Sequence, residues 1–318
     1  LLLASVFVTG AAVLIIEIIA IRILSPYFGN TIYTTSSVIG TILAALSLGY
    51  YLGGMLSDKY PYHRFFYGII LISGFLIIFM GTLDNAVLSL FELLFPITIG
   101  PLISSIVIFF IPAFLLGMLS PFAIKLHKKD QFKQLDQDKI GSQSGEVFFW
   151  STIGSIAGSL LAGFVFIPYF GINSIIIGTG IILSLWGIFG FLFLGPIDSD
   201  LKSTESFKWN QDKKTLALMI LLFLSELLLL FFYFPRKQPN IVYEKDGVYE
   251  KIKIFDDQWN NQPARFLLLD KSWSSATYLN SDELAFEYSK YYRLYKLFNS
   301  KAKNAFFIGG GAYSIPKA

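Results

Sequence analysis

Ionisable side chains inside apolar runs are the first candidates for chemistry in this chain. Glu17 and Arg22 fall in an N-terminal apolar run, and Glu226 near the middle of a later one. A charge in hydrocarbon is costly, so each is expected to face protein or water and to serve a function or a pairing. Glu17 and Arg22 are five apart, about 140° around a helix, and are not expected to pair with each other. A second group, Asp282, Glu283, Glu287 and Tyr288, gathers three acids and a phenol within seven residues. A third is the run Ile308-Gly309-Gly310-Gly311, where missing side chains let a nucleotide or nucleoside approach a backbone turn. Tyr313 stands where a further glycine would strengthen that pattern.

The chain has 318 residues, is 54% hydrophobic and carries only 15% charge, well below a soluble domain. No charged residue occurs from Ile23 to Ser57, whereas residues 243–303 are dense in both signs. That segregation fits a membrane part joined to an aqueous part. Cysteine is absent, which excludes disulfides, thiol nucleophiles and thiolate metal sites. His63 and His127 fall in short basic loops and are expected to be solvated; no metal site is expected. The net charge of +3 is too small to imply nucleic acid. The first residue already lies in an apolar run, so the N-terminus is expected to be clipped.

Residues 1–21, 36–56, 65–83, 101–119, 147–167, 172–194 and 216–234 are each long and apolar enough to cross a bilayer as helices. Residues 85–99 are apolar but too short, and are expected in the interface or as a re-entrant dip. Tyr27, Tyr33, Tyr67, Tyr169 and Tyr233 are expected near the interfaces. The loops at 57–64, 121–146 and 195–215 hold Lys59, Arg64, Lys125, Lys128, Lys129 and further lysines. The alternate loops hold none, so the basic loops are assigned to the cytoplasm. Seven crossings would put the C-terminal segment on the opposite face, whereas a seventh segment that is re-entrant around Glu226 would keep it on the cytoplasmic one. Gly154 with Gly158, and Gly49 with Gly53, are spaced to pack helices closely.

After Pro235 the pattern becomes β-like. Strands are expected at 241–244, 248–255 and 265–270, with Asp246-Gly247 as a turn, then a helix at 281–298 capped by Ser281 or Asp282. A buried strand at 304–308, the glycine turn and a helix start follow. One parallel strand cannot make a sheet, so the chain is expected to be a piece of a longer domain.

Together these residues resemble the spermidine synthase-like proteins that carry a fused multi-span, major-facilitator-like membrane part. The resemblance rests on Glu17…Arg22-Ile-Leu-Ser-Pro26-Tyr-Phe-Gly29, Leu48-Gly-Tyr-Tyr-Leu-Gly-Gly54…Ser57-Asp58-Lys59, Pro112…Leu116-Gly-Met-Leu-Ser-Pro121 and Gly154-Ser…Gly158-Ser. In the soluble part it rests on Tyr249…Ile254, Phe266-Leu-Leu-Leu-Asp270, Ser281-Asp-Glu283…Tyr288 and Ile308-Gly-Gly-Gly311. It implies a helical polytopic membrane domain over 1–234. A truncated α/β domain over 235–318 would follow, a small β-subdomain plus the start of a methyltransferase-like Rossmann sheet. It further implies an aminopropyltransferase-type activity: an amine attacks a carbon beside the sulfonium of decarboxylated S-adenosylmethionine or S-adenosylmethionine, a co-substrate and not a resident cofactor.

Gly309, Gly310 and Gly311 would then touch the donor, and Asp282, Glu283, Glu287 and Tyr288 the substrate; the catalytic residues would lie beyond Ala318. The family's Gly-Gly-Gly-Asp-Gly reads Gly309-Gly-Gly311-Ala312-Tyr313 here, and its Tyr-His-Glu reads Phe286-Glu287-Tyr288. The alternative reading is therefore a transporter or scaffold with a non-catalytic synthase-like domain. The expected partners are the lipid bilayer, here a prokaryotic plasma membrane, and a small amine or nucleoside; a homo-oligomer is compatible with the sequence.

Overall fold

The structure is a computed structural model and describes residues 1–131, 140–194, 221, 224–225, 228, 240–247, 249–299, 301, 304, 306–309 and 314–317. Among these residues six helices are long and apolar enough to cross a membrane. They are α1 (Leu2–Phe28), α2 (Ile32–Lys59), α3 (His63–Leu94), α4 (Gly100–Gln131), α5 (Ile140–Leu161) and α6 (Ile172–Leu194). A π-helical turn, Ala162–Phe166, and a last helical turn, Ile167–Phe170, continue α5. The seventh expected span, 216–234, and with it Glu226 and the expected domain boundary at 234/235, lie almost wholly outside the described residues. Residues 85–94 form no separate dip: they extend α3, and only Phe95 to Ile99 turn the chain into α4.

In lipid, helices gain nothing from burying apolar surface, so they associate by close backbone approach. The glycines show where. A Cβ at Gly154 or Gly158 of α5 would strike the backbone of Phe7 or Ala11 on α1. One at Gly49 or Gly53 of α2 would strike Phe114 or Met118 on α4, and Gly117 of α4 returns against Leu46. Gly74 and Gly180 pack α3 on α6, and Gly187 receives Leu71. The dominant pairs are thus α1 with α5, α2 with α4, and α3 with α6. Exchanging α1–α3 for α4–α6 leaves this set of pairs unchanged, and the two triplets enter the bundle from opposite ends. That is the arrangement of an inverted repeat.

The two histidines near the basic end are enclosed, His63 fully and His127 in part, contrary to expectation. His63 is 2% exposed at the start of α3. His127 belongs to α4 and meets Glu146 of α5 at 3.0 Å. Both were expected to be solvated; helix ends that pack together enclose them instead. Tyr67, expected in an interfacial belt, is fully buried and shares a hydrogen bond with Ser5 (3.0 Å), which also accepts from Trp186 Nε1 (2.9 Å).

The C-terminal part is an antiparallel meander of β1 (Ile241–Asp246), β2 (Lys251–Trp259), β3 (Gln262–Leu269) and β4 (Ser272–Tyr278). Asn260 and Asn261, with φ of 50° and 61°, close the β2–β3 hairpin in the left-handed conformation that two-residue turns need. Phe255 and Phe286 pack against the buried Ala264, Phe266, Ala276, Tyr278 and Ala285. The expected helix at 281–298 begins only at Glu287 and runs to Phe298 in short helical pieces. Residues before it are held elsewhere: Leu284 bridges to Thr277, and the Ala285 carbonyl accepts from Trp259 Nε1 at 3.0 Å. The expected strand at 304–308 is not formed among the described residues, and Phe306 and Ile308 are almost fully exposed. No described strand lies beside it to pair with, which removes the reason for burial.

If close backbone approach holds the bundle, Gly154→Leu and Gly158→Leu each destabilise it by about 1–3 kcal/mol, the usual cost of overpacking. Ile153→Leu, one helical step away on an exposed face, leaves the thermal midpoint in detergent unchanged. Melting the three variants by tryptophan fluorescence checks this.

Candidate functional site

The turns of a meander alternate between its two ends. Those joining β1 to β2 and β3 to β4 therefore share one end, and this end meets the helices. Arg22, one and a half turns before the end of α1, donates through Nη2 to the Gly247 carbonyl at 2.6 Å and through Nη1 to the Tyr249 carbonyl. Asp246 Oδ2 accepts from the Ile172 backbone N–H at 3.0 Å, satisfying a donor that the first turn of α6 leaves free. Gly171 precedes it with φ of 75°, and a Cβ there would sit 3.1 Å from the same carboxylate oxygen. Lys271, in the β3–β4 turn, donates to the Tyr27 carbonyl at 2.8 Å and pairs with Glu92 of α3 at 2.9 Å. Side chains on α1, α3, β1 and the β3–β4 turn thus fasten the sheet to the ends of α1, α3 and α6.

All three helix ends lie on one side of the bundle. It is the side of the loops without Lys or Arg, opposite Lys59, Arg64 and Lys125. Arg22 is accordingly a docking residue, and nothing pairs it with Glu17. Glu17 is half-buried on α1 and has no hydrogen bond or ion pair among the described residues. Among the described residues, a cavity of about 20 Å³ between α1, α3, α4 and α6 is lined by Ile19, Ile23, Ile77, Phe109, Thr179 and other residues, with apolar surface throughout. That is room for about one water.

The carboxylate group expected to hold substrate is only partly assembled. Glu283 joins Gln262, Pro263, Asn280 and Ser281 around an open polar hollow of about 330 Å³ at the far end of the sheet. Ser281 Oγ accepts from the Glu283 backbone N–H at 3.0 Å and shapes its rim. Glu287 points to Lys290 instead, at 2.7 Å, and Tyr288 stacks on Phe286 at 5.6 Å; Asp282 is exposed. Nearby, the Arg265 guanidinium bonded to Asp256 at 2.7 Å holds that carboxyl below its ordinary range. A depressed folded value contributes stability above the unfolded one that is lost as pH falls through it, and for so exposed a pair the gain is small.

Of the glycines expected to meet a donor, Gly310 and Gly311 lie outside the described residues. Gly309 takes φ of 79°, as a glycine turn requires. The residues described before it form no strand, and Phe306 and Ile308 project into the open. Ala312 and Tyr313, the rest of the expected turn, also lie outside the described residues. No group of three or more His, Asp or Glu suited to a metal occurs among the described residues. Sequence reasoning missed Asp246, Lys271, Glu92 and the Tyr249 carbonyl as partners. Asp246-Gly247 signalled a turn, but nothing local signals what that turn touches.

A scan of family models and searches of curated proteins and of solved structures find no match to this chain.

The docking contacts predict a local effect. Arg22→Leu deprives two carbonyls of a charged donor, an interaction worth roughly 1.5–3 kcal/mol. Amide exchange at residues 247–250 should rise at least about 10-fold, while exchange in the β2–β3 hairpin stays as it was. Hydrogen-exchange mass spectrometry in detergent reads both.

Proposed function

We propose that the chain is an integral membrane protein whose helical bundle anchors a spermidine synthase-like domain on the non-cytoplasmic face, where that domain binds an organic amine without turning it over. One observation carries this reading: Arg22, Asp246 and Lys271 fix the sheet to the end of the bundle opposite the basic loops. Basic loops mark the cytoplasmic side. α6 leaves the bundle at the basic end and the sheet sits at the other. The apolar run 216–234 has the length for one crossing. An S-adenosyl donor is a cytosolic compound and is absent from that face.

The hollow around Glu283 is lined by residue types an ammonium group needs: a carboxylate for the charge, with the amides of Gln262 and Asn280 able to accept as well. The small apolar cavity supports an anchor in preference to a conduit. A second reading, a membrane-anchored transferase using an S-adenosyl-type donor, is favoured by the left-handed Gly309 alone.

The absence of native cysteine gives a clean background for mapping sides. With Gln258→Cys in β2 and Ser142→Cys at the basic end of α5, a membrane-impermeant maleimide on intact cells should label the first and spare the second. The reverse pattern overturns the placement. Calorimetry on the purified chain should then show putrescine or spermidine binding that Glu283→Gln weakens at least about 10-fold, with no heat from decarboxylated S-adenosylmethionine. Heat from that donor would favour the transferase; no heat from either amine would leave an anchor without this ligand.

A further inference from the structure

The carboxyl of Glu17 has no part in the docking of the sheet and does not line the apolar cavity. Its position is specific. At about 1.5 Å per residue it lies about 22 Å along α1 from Leu2 and about 16 Å from Phe28, in the middle of a hydrocarbon layer about 30 Å thick. It is also one heptad beyond Gly10, the glycine of α1 that a Cβ would drive into Ser151 of α5. Glu17 therefore continues the stripe along which α1 meets α5.

At that level α5 changes form. Phe7 of α1 meets Gly154 and Ala11 meets Gly158, so the parallel pair advances in step. Continuing the same step brings the π-turn Ala162–Phe166 beside residues 15–19, and α1 does touch that turn. A π-turn inserts an extra residue and breaks the regular ladder of backbone bonds; such turns concentrate at functional sites. Gly163 lies on the exposed face of that turn, where a Cβ would meet nothing within 4 Å. An ionisable side chain and a broken backbone ladder thus coincide at mid-membrane.

We propose that Glu17, set against the π-turn of α5, is a proton-binding carboxyl accessible from the hydrocarbon layer. Among the described side chains no competing charge lies at this level; those of Asp84 and Glu226 are outside them. The charged groups described on the helices packed against α1 are Asp58 and Lys59 on α2, His63, Arg64 and Glu92 on α3, Lys125 and His127 on α4, and Glu146 on α5. All of them lie toward helix ends, α6 has none, and the π-turn has none. On α1 itself Arg22 is five residues away and engaged with the sheet. The proton is thus the partner the site is built to exchange.

A hydrophobic carbodiimide tests this on the intact protein in membranes. Its central carbon takes the carboxyl oxygen and one of its nitrogens takes the acid proton, giving an adduct with no leaving group. Only the protonated acid reacts. Peptide mass spectrometry should find the adduct at Glu17, forming at least about 10-fold faster than at Glu92, and slowing as pH is raised through the range where the acid ionises. A water-soluble carbodiimide should not modify it. Glu17→Gln should abolish the adduct while leaving the thermal midpoint of the purified protein unchanged. As a second measurement, Gly163→Leu, which adds bulk on the exposed face of the π-turn, should slow labelling without removing the carboxyl. Absence of the adduct on Glu17 at every pH, a rate independent of pH, or equal reaction with the water-soluble reagent would overturn the proposal.

Discussion

Lipid offers a backbone nothing to bond with, and it offers two helices no gain for hiding apolar surface from it. The first fact makes every crossing segment a helix. The second leaves only backbone contact, side-chain interdigitation and a few hydrogen bonds to hold helices together. Gly154 and Gly158 on Phe7 and Ala11, Gly49 and Gly53 on Phe114 and Met118, and Gly74 and Gly180 across α3 and α6 are what remains when hydrophobic burial is removed. Everything else in the bundle is arranged around those contacts, including the buried Ser5–Tyr67–Trp186 bonds at one end.

Because the pairs α1–α5 and α2–α4 exchange under the same swap that carries α3–α6 into itself, the bundle has two equivalent ends in its packing but not in its chemistry. One end gathers Lys59, Arg64, Lys125 and His127, with Asp58 and Glu146 as partners. The other exposes helix ends whose free backbone groups need partners. Asp246 reaching the Ile172 N–H, and Lys271 reaching the Tyr27 carbonyl, supply them from the sheet. The docking of the aqueous domain is therefore the completion of the helix ends as much as an interface between two parts.

This placement also reorganises the functional reading. In the proposed orientation a domain on the basic face would have access to cytosolic nucleosides, whereas one fastened to the other end meets what is dissolved outside. The same geometry sends Glu283 to the far rim of the sheet, where a solute can reach it, and leaves Glu17 in the hydrocarbon, where only a proton or a membrane-soluble reagent can. The two carboxylates answer to different solvents.

Composition and periodicity alone determined six apolar helices and two glycine spacings, Gly49 with Gly53 and Gly154 with Gly158, because a twenty-residue apolar run in water-free surroundings has one way to satisfy its backbone. The turn at Asp246-Gly247 was legible for a similar reason: short turns are local events. Strand β4 was not, since Ser272-Trp-Ser-Ser-Ala-Thr-Tyr lacks an apolar alternation and is a strand only because β3 lies beside it. The helix expected from Ser281 lost its first turn to Thr277 and Trp259, groups that approach only once the sheet has folded. Which end of the bundle the sheet occupies, and that Arg22 serves it while Glu17 does not, was decided by tertiary structure. Those facts depend on residues more than two hundred positions apart meeting across a helix end, and no local pattern of the chain encodes that distance.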